Sequence, residues 1–218
     1  MADSNPAPAA FSAATLLHRF ELCADNGGSY LEFSGVSPSV FEEFYKLLDG
    51  RGRITYFGST SGVLSVKMPT LHHESVTTTV IDVAKRQVPA VIRVGATRCD
   101  SIHTLAGAKE PDDGVMPRHM LFAGAVFPPL VLEVANTQSL TAARKAMRWW
   151  FNNSARNHPR GEVRNVIIVK IHHIHDDDNK HSKIYFEVWR RGATQPKKAY
   201  IQLKSPDQQP EERVNPDI

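Results

Sequence analysis

The sequence predicts a mixed α/β fold in which helices pack on a central sheet. Three stretches support this prediction. An apolar run interrupted only by Glu133 predicts a strand over residues 130–135, and a polar turn and a helix over residues 139–152 follow it. Residues 163–171 are almost continuously apolar, which is typical of a central strand. Residues 38–48 carry aromatic and aliphatic side chains at helical spacing after Ser37, a residue type that caps helices.

The remaining elements follow from periodicity and from glycine or proline boundaries. They are a short helix at 15–24, a hairpin of strands 53–57 and 63–68, a helix at 72–87, strands at 91–94 and 101–105, and a last strand at 184–189. Residues 106–127 are predicted to be a loop. The polar, proline-containing ends, 1–13 and 205–218, are predicted to be disordered, which leaves a single domain over residues 14–204.

Composition and charge bear on whether the chain is a nucleic-acid-binding, disulfide-rich or membrane protein. The chain has 218 residues and a net charge of +3, which by itself is too small to indicate nucleic-acid binding. Two cysteines, Cys23 and Cys99, do not make a disulfide framework, and they favour an intracellular location in the cytoplasm or nucleus. No apolar run approaches the length of a membrane span, and the first residues lack the pattern of a secretory signal. We therefore expect no membrane partner.

Two acidic residues stand at informative places. Glu133 interrupts an apolar strand, and a buried carboxylate needs a cation, a hydrogen-bond donor or a metal as partner. Asp112 follows Pro111 at the end of the second predicted strand of a helix–strand–strand–strand–helix–strand run. Two carboxylates that meet at one point repel each other or recruit a cation. Mg²⁺ prefers oxygen ligands, needs only one or two carboxylates, and can activate water for phosphodiester hydrolysis.

These residues carry a family resemblance. Pro111-Asp112, then Leu132-Glu133-Val134 with the turn Asn136-Thr137-Gln138-Ser139 before a helix, resembles the PD-(D/E)xK restriction-endonuclease-like superfamily. More narrowly, the chain resembles a widespread branch of predicted endonucleases with an E-V-x-x-S-x-S type turn. The segment VLSVKMPTLHHESV is similar to that branch, and the tryptophan pair and VIIVKI are similar to its fungal-type members. The resemblance covers roughly residues 50 to 190.

The resemblance implies an αβββαβ core, here with an N-terminal helix and hairpin and an extra C-terminal strand. It implies a nuclease that depends on Mg²⁺ or Mn²⁺ and acts on DNA or RNA. Asp112 and Glu133 would be the metal ligands, and His73 would match the histidine on the preceding helix.

The chain departs from the superfamily at Ala135, where the pattern has lysine. In the branch the basic residue has often moved to the following helix, where Arg144 and Lys145 are candidates. Spacing from Glu133 favours Lys145, whereas the helical wheel favours Arg144, which flanks the buried stripe. Arginine stays protonated, so it would stabilise a phosphorane-like transition state and not act as a base. The alternative is an inactive endonuclease-like fold that serves as a binding or interaction protein, and a small-molecule hydrolase is a third possibility.

Each candidate also has a simpler explanation. Asp112 can be explained as an acid in a charged turn. Glu133 can be explained as part of a structural ion pair with Arg144. His73, like His72, can be explained as an ordinary residue at the start of a helix. Lys170 suits either a snorkelling lysine at a sheet edge or an inward site residue. The stretch at 172–181 has the residue types of a zinc site, but its side chains are adjacent in sequence, which favours a solvated hairpin loop.

Overall fold

The computed structural model describes residues 11–68, 70–87, 91–93, 102–104, 107–136, 138–154, 161–172, 183–202 and 211–213. The chain divides into two compact units, where the sequence analysis predicts one domain. The first unit contains residues 1–69 and 103–110, and the second contains residues 70–102 and 111–218. Among the described residues, no helix is both long and apolar enough to cross a membrane.

The described elements alternate between helices and short strands. The helices are α1 (Ala13–Asp25), α2 (Pro38–Leu48), α3 (Leu71–Gln87), α4 (Arg118–Phe122) and α5 (Leu140–Asn153). The strands are β1 (Tyr30–Phe33), β2 (Arg53–Gly58), β3 (Val63–Lys67), β4 (Val91–Arg93), β5 (Ile102–Thr104), β6 (Gly107–Lys109), β7 (Asp113–Pro117), β8 (Leu130–Ala135), β9 (Asn165–His172), β10 (Lys183–Arg190), β11 (Lys197–Gln202) and β12 (Glu211–Arg213). The class is therefore mixed α and β, as predicted.

The first unit is built on a sheet with the strand order β1-β3-β2-β6-β5. The predicted hairpin is confirmed, since β2 and β3 pair antiparallel. Helix α2 begins as predicted, because the hydroxyl of Ser37 accepts the amide hydrogen of Val40 at 3.3 Å and Pro38 occupies the first turn. Phe41, Phe44 and Leu48 of α2 are buried in the hydrophobic core of this unit.

The second unit is built on a seven-stranded sheet with the order β12-β11-β10-β9-β8-β7-β4. Strands β4, β7 and β8 pair antiparallel, whereas β8 and β9 pair parallel, and α5 connects them. Successive side chains of β8 point to opposite faces. Val131 and Ala135 pack in a core with α5, and Leu132 and Val134 pack in a core with α3. Helices α3 and α5 therefore cover opposite faces of the sheet.

The loop predicted at 106–127 is wrong over residues 107–109, 113–117 and 118–122, which form β6, β7 and α4. The strands predicted at 91–94 and 101–105 form, but they join different sheets. Strands β1, β11 and β12 were not predicted, so the C-terminal addition to the sheet is larger than one strand. Strand β12 also lies within the tail predicted to be disordered, while residues 1–10, 203–210 and 214–218 lie outside the described residues. Strand β12 has the sequence EER, which has little strand propensity of its own, and it is held by its pairing with β11.

Candidate functional site

Glu133 is buried in β8, with 4% of its surface exposed. Its Oε1 atom accepts a hydrogen bond from the indole nitrogen of Trp150 on α5. A buried carboxylate is costly unless hydrogen bonds offset the water it has lost, and the indole supplies one of them. Trp150 is itself fully buried. Helix α5 therefore contributes directly to the surroundings of Glu133.

Asp112 is also buried, with 5% of its surface exposed, and lies directly before β7. Its Oδ2 atom accepts the amide hydrogen of Val134 at 2.6 Å, and the same oxygen lies 3.1 Å from Nε2 of His73. Val134 follows Glu133 on β8, so the Asp112 carboxylate borders the strand that carries the other acid. The interpretation of Asp112 as a solvated turn acid is wrong.

His73 is fixed in the first turn of α3. The Thr70 hydroxyl accepts the amide hydrogen of His73 at 3.3 Å, and the Thr70 carbonyl accepts that of Glu74 at 3.0 Å, so Thr70 caps the helix. The ring is 1% exposed, with Nδ1 lying 3.2 Å from a carboxylate oxygen of Glu74 and Nε2 facing Asp112. His73 is thus buried between two carboxylates and is not an ordinary residue at a helix start.

Asn136 and Lys170 extend this arrangement. The side-chain amide of Asn136 donates a hydrogen bond to the Thr70 hydroxyl at 3.2 Å. The Lys170 ammonium donates to the backbone carbonyl of Asn136 at 2.6 Å. Burial lowers the pKa of Lys170. Strand β9, which carries Lys170, lies between β8 and β10, so the explanation as a lysine at a sheet edge is wrong. We call the linked residues Thr70, His73, Asp112, Asn136 and Lys170 the α3/β8 cluster.

Arg144 has another partner. Its guanidinium donates to both carboxylate oxygens of the fully buried Glu187 on β10, with Nε lying 2.9 Å from Oε2. The Tyr185 hydroxyl and the Trp189 indole also donate to Glu187, at 3.0 Å and 2.9 Å. The hydrogen bonds with Glu187 raise the pKa of Arg144. The sequence analysis suggested an ion pair between Arg144 and Glu133. That partner is wrong, because Arg144 pairs with Glu187.

Lys145 is exposed on the outer side of α5. This agrees with the helical wheel, which directs Lys145 away from the buried stripe. Of the histidine- and aspartate-rich stretch, His172 is the exposed last residue of β9, and residues 173–181 lie outside the described part of the chain.

The donor chemistry of the two buried acids suits a hard divalent cation. Carboxylate oxygens are the ligands that Mg²⁺ prefers, and one or two of them suffice because the ion keeps several waters. Within the described ranges, no group of three or more histidine, cysteine, aspartate and glutamate side chains is arranged to hold a metal ion. Two carboxylates are a donor set for an ion that is held by few protein ligands and keeps several waters.

A scan against models of known families and a search of the curated proteins both find no match to this chain. The family expected from the motif residues is therefore not shown by these comparisons.

Several members of this site were not identified from the sequence. The tryptophans were interpreted as packing residues, yet Trp150 is the hydrogen-bond donor to Glu133. Thr70 and Asn136 were not singled out. A threonine before a helix is a recognisable capping signal, and it could have located Thr70. The link from Asn136 to Lys170 depends on strand register, which the sequence alone does not provide.

Proposed function

We propose that the chain is a metal-dependent nuclease that hydrolyses phosphodiester bonds in DNA or RNA. In this proposal Asp112 and Glu133 hold a Mg²⁺ or Mn²⁺ ion. The observation that carries it is the contact of the buried Asp112 carboxylate with the backbone of Val134, the residue after the buried Glu133. Each of these buried carboxylates is costly unless a cation or hydrogen-bond donors stabilise it.

The element order supports the same proposal. Apart from the five-residue helix α4 between β7 and β8, the second unit contains helix α3, strands β4, β7 and β8, helix α5 and strand β9 in this order, with β8 and β9 parallel and helices α3 and α5 on opposite faces. This order is the one that the resemblance to PD-(D/E)xK nucleases implies. Glu133 lies within the third of these strands, as expected, whereas Asp112 directly precedes the second strand and does not follow it as the sequence analysis predicts.

The chemistry that the residues support is hydrolysis. The bound cation would polarise the phosphate and lower the pKa of a water ligand. In the net reaction a water oxygen would form a bond to phosphorus, the bond from phosphorus to the leaving sugar oxygen would break, and the proton that the water loses would balance the proton that the leaving oxygen gains through the solvent. Asp112 and Glu133 bind the ion. His73, in the capped first turn of α3, places its Nε2 atom 3.1 Å from the Asp112 carboxylate.

A cleavage assay on supercoiled, linear and single-stranded DNA and on single-stranded RNA, with Mg²⁺, with Mn²⁺ or with a chelator, tests the proposal. We expect metal-dependent cleavage of at least one substrate, and a loss of about 100-fold or more in Asp112→Asn and Glu133→Gln. Glu43→Gln, at an exposed position on α2, is the matched control and should keep the wild-type rate. Cleavage that is absent, or that is equal in Glu133→Gln and Glu43→Gln, would contradict the proposal.

A second candidate is a protein that keeps this fold and binds a partner without catalysis. Alanine at position 135 and the engagement of Arg144 by Glu187 favour it, because they remove two expected sources of a catalytic cation. Calorimetry with Mn²⁺ separates the candidates, since an inactive binding protein would show weak or no binding that Glu133→Gln leaves unchanged. Retention on immobilised nucleic acid that falls steeply with salt would identify phosphate contacts.

A further inference from the structure

Lys170 lies beside the position where the sequence has alanine in place of the expected lysine. In the parallel pairing of β8 and β9, Lys170 is the register partner of Ala135. Register partners of parallel strands project from the same face, and residues two apart on one strand do so too. Lys170 therefore shares a face with Glu133, about 6.6 Å along the strand direction and about 4.8 Å across it. These separations are within the combined reach of a lysine and a glutamate side chain.

The contacts of the Lys170 ammonium direct it to the end of β8. Its Nζ atom donates to the Asn136 carbonyl at 2.6 Å, just beyond the last residue of β8. Asn136 donates in turn to the Thr70 hydroxyl, which also accepts the amide hydrogen of His73. The lysine is therefore joined, through three hydrogen bonds, to the histidine that faces Asp112.

Other basic residues near this face have other environments. Arg144 is engaged by the fully buried Glu187, and Lys145 is exposed on the far side of α5. Lys170, by contrast, is half-buried on a strand in the middle of the sheet, where an ammonium has lost part of its water. A lysine in such surroundings requires compensation by anions or carbonyl groups, and a phosphate group would supply it.

We propose that Lys170 is the cation of this site and that its ammonium contacts the scissile phosphate of a bound nucleic acid. This inference rests on the proposed function. The ammonium stabilises the negative charge that gathers on the phosphate oxygens while water attacks phosphorus. Lys170, on the neighbouring strand β9, then has the role that the resemblance assigns to a lysine at position 135. Lys170 remains protonated throughout this step and does not exchange atoms with the substrate.

The test compares Lys170→Met and Lys170→Gln with Lys145→Met on the nucleic acid that the wild-type chain cleaves fastest. The glutamine variant keeps a donor for the Asn136 carbonyl and removes only the charge. We expect both Lys170 variants to lose about 100-fold or more in cleavage rate, with unchanged Mn²⁺ affinity and an unchanged urea midpoint. Lys145→Met, the matched control, should cleave at the wild-type rate. Equal rates in Lys170→Gln and Lys145→Met would overturn the inference.

A double variant tests the register argument directly. Ala135→Lys combined with Lys170→Ala moves the ammonium to the adjacent strand on the same face, and we expect it to recover part of the activity lost in Lys170→Gln. A double variant that folds and binds Mn²⁺ but recovers nothing would overturn the assignment. Failure of the proposed function can be told apart from failure of this inference. If the proposed function is wrong, either the wild type does not cleave or Glu133→Gln cleaves at the wild-type rate. If Glu133→Gln is inactive while the Lys170 variants remain active, only the inference about Lys170 is contradicted, and the proposed function stands.

Discussion

At the scale of single residues, three buried glutamates show how differently burial is compensated. Glu133 receives the indole hydrogen of Trp150, and Glu187 receives hydrogen bonds from Arg144, Tyr185 and Trp189. Burial alone would raise the pKa of Glu187, yet these hydrogen bonds outweigh it and lower that pKa. Glu110, in the first unit, accepts hydrogen bonds from Ile54 and Tyr45, yet burial outweighs them and raises its pKa to about 7. The charge of Glu110 therefore opposes folding, whereas that of Glu187 does not.

Glu110 makes the stability of the first unit depend on pH near neutrality. Its carboxylate accepts the Ile54 amide hydrogen at 3.2 Å, but burial outweighs this bond and the hydroxyl of Tyr45. Between its ordinary pKa of about 4.5 and about 7, the folded state holds a proton that the unfolded chain has released. The free energy of unfolding should therefore fall as pH rises from about 5 to about 8, by up to about 3 kcal/mol.

Urea unfolding followed by circular dichroism at pH 5 and pH 8 measures this dependence. Glu110→Gln should flatten it, because the amide keeps an acceptor for the Ile54 hydrogen and cannot ionise. Glu43→Gln, at an exposed position, should leave the dependence unchanged. The same fall in Glu110→Gln as in the wild type would show that another group is responsible.

At the scale of elements, prediction from sequence succeeded where periodicity was strong. Helix α2 and strand β8 have the predicted bounds, because α2 repeats an apolar face every turn and β8 is an uninterrupted apolar strand apart from Glu133. Strand β7 (Asp113–Pro117) was missed, since glycine and proline within it indicate a turn. Its pairing with β8 brings Asp112 to the backbone of Val134. The position of Glu133 in a strand could be predicted from the sequence, whereas the environment of Asp112 depends on this tertiary pairing.

Helix α5 provides a matched pair of tryptophans for testing its role at Glu133. The Trp150 indole donates to Glu133, whereas the buried indole nitrogen of Trp149 has no hydrogen-bond partner among the described residues. Trp150→Phe removes a donor from a buried carboxylate, so we expect it to lower the free energy of unfolding by about 1–3 kcal/mol more than Trp149→Phe. Both substitutions remove the same volume, which isolates the hydrogen bond. Urea midpoints measured by circular dichroism give the comparison, and equal losses would contradict the importance of the contact.

At the scale of the whole molecule, the chain passes from the first unit to the second, returns for residues 103–110, and then completes the second. Local sequence patterns carry no signal of such a return, since β5 and β6 are three residues each and β6 joins the sheet through β2, with Ala108 opposite the distant Phe57. A single domain was therefore the natural prediction from length and composition. Each large hydrophobic core, in contrast, draws its residues from one unit.

This separation of cores predicts that the two units unfold in distinguishable transitions. All three tryptophans, Trp149, Trp150 and Trp189, lie in the second unit, so tryptophan fluorescence reports on that unit. Phe44→Ala removes a fully buried ring from the first core and should cost about 3–5 kcal/mol there. We expect it to reduce amide-exchange protection in β2 and β3 while the urea midpoint by fluorescence stays at the wild-type value.

Met147→Ala, in the core beside Trp150, is the reciprocal variant and should shift the fluorescence midpoint while β2 and β3 keep their protection. Because each core loses packing only where its own side chain is removed, the two variants should have opposite patterns of effect. If Phe44→Ala shifts the fluorescence midpoint as far as Met147→Ala does, the units unfold as one cooperative body. In that case the two cores are energetically coupled, and the prediction of separate transitions is wrong.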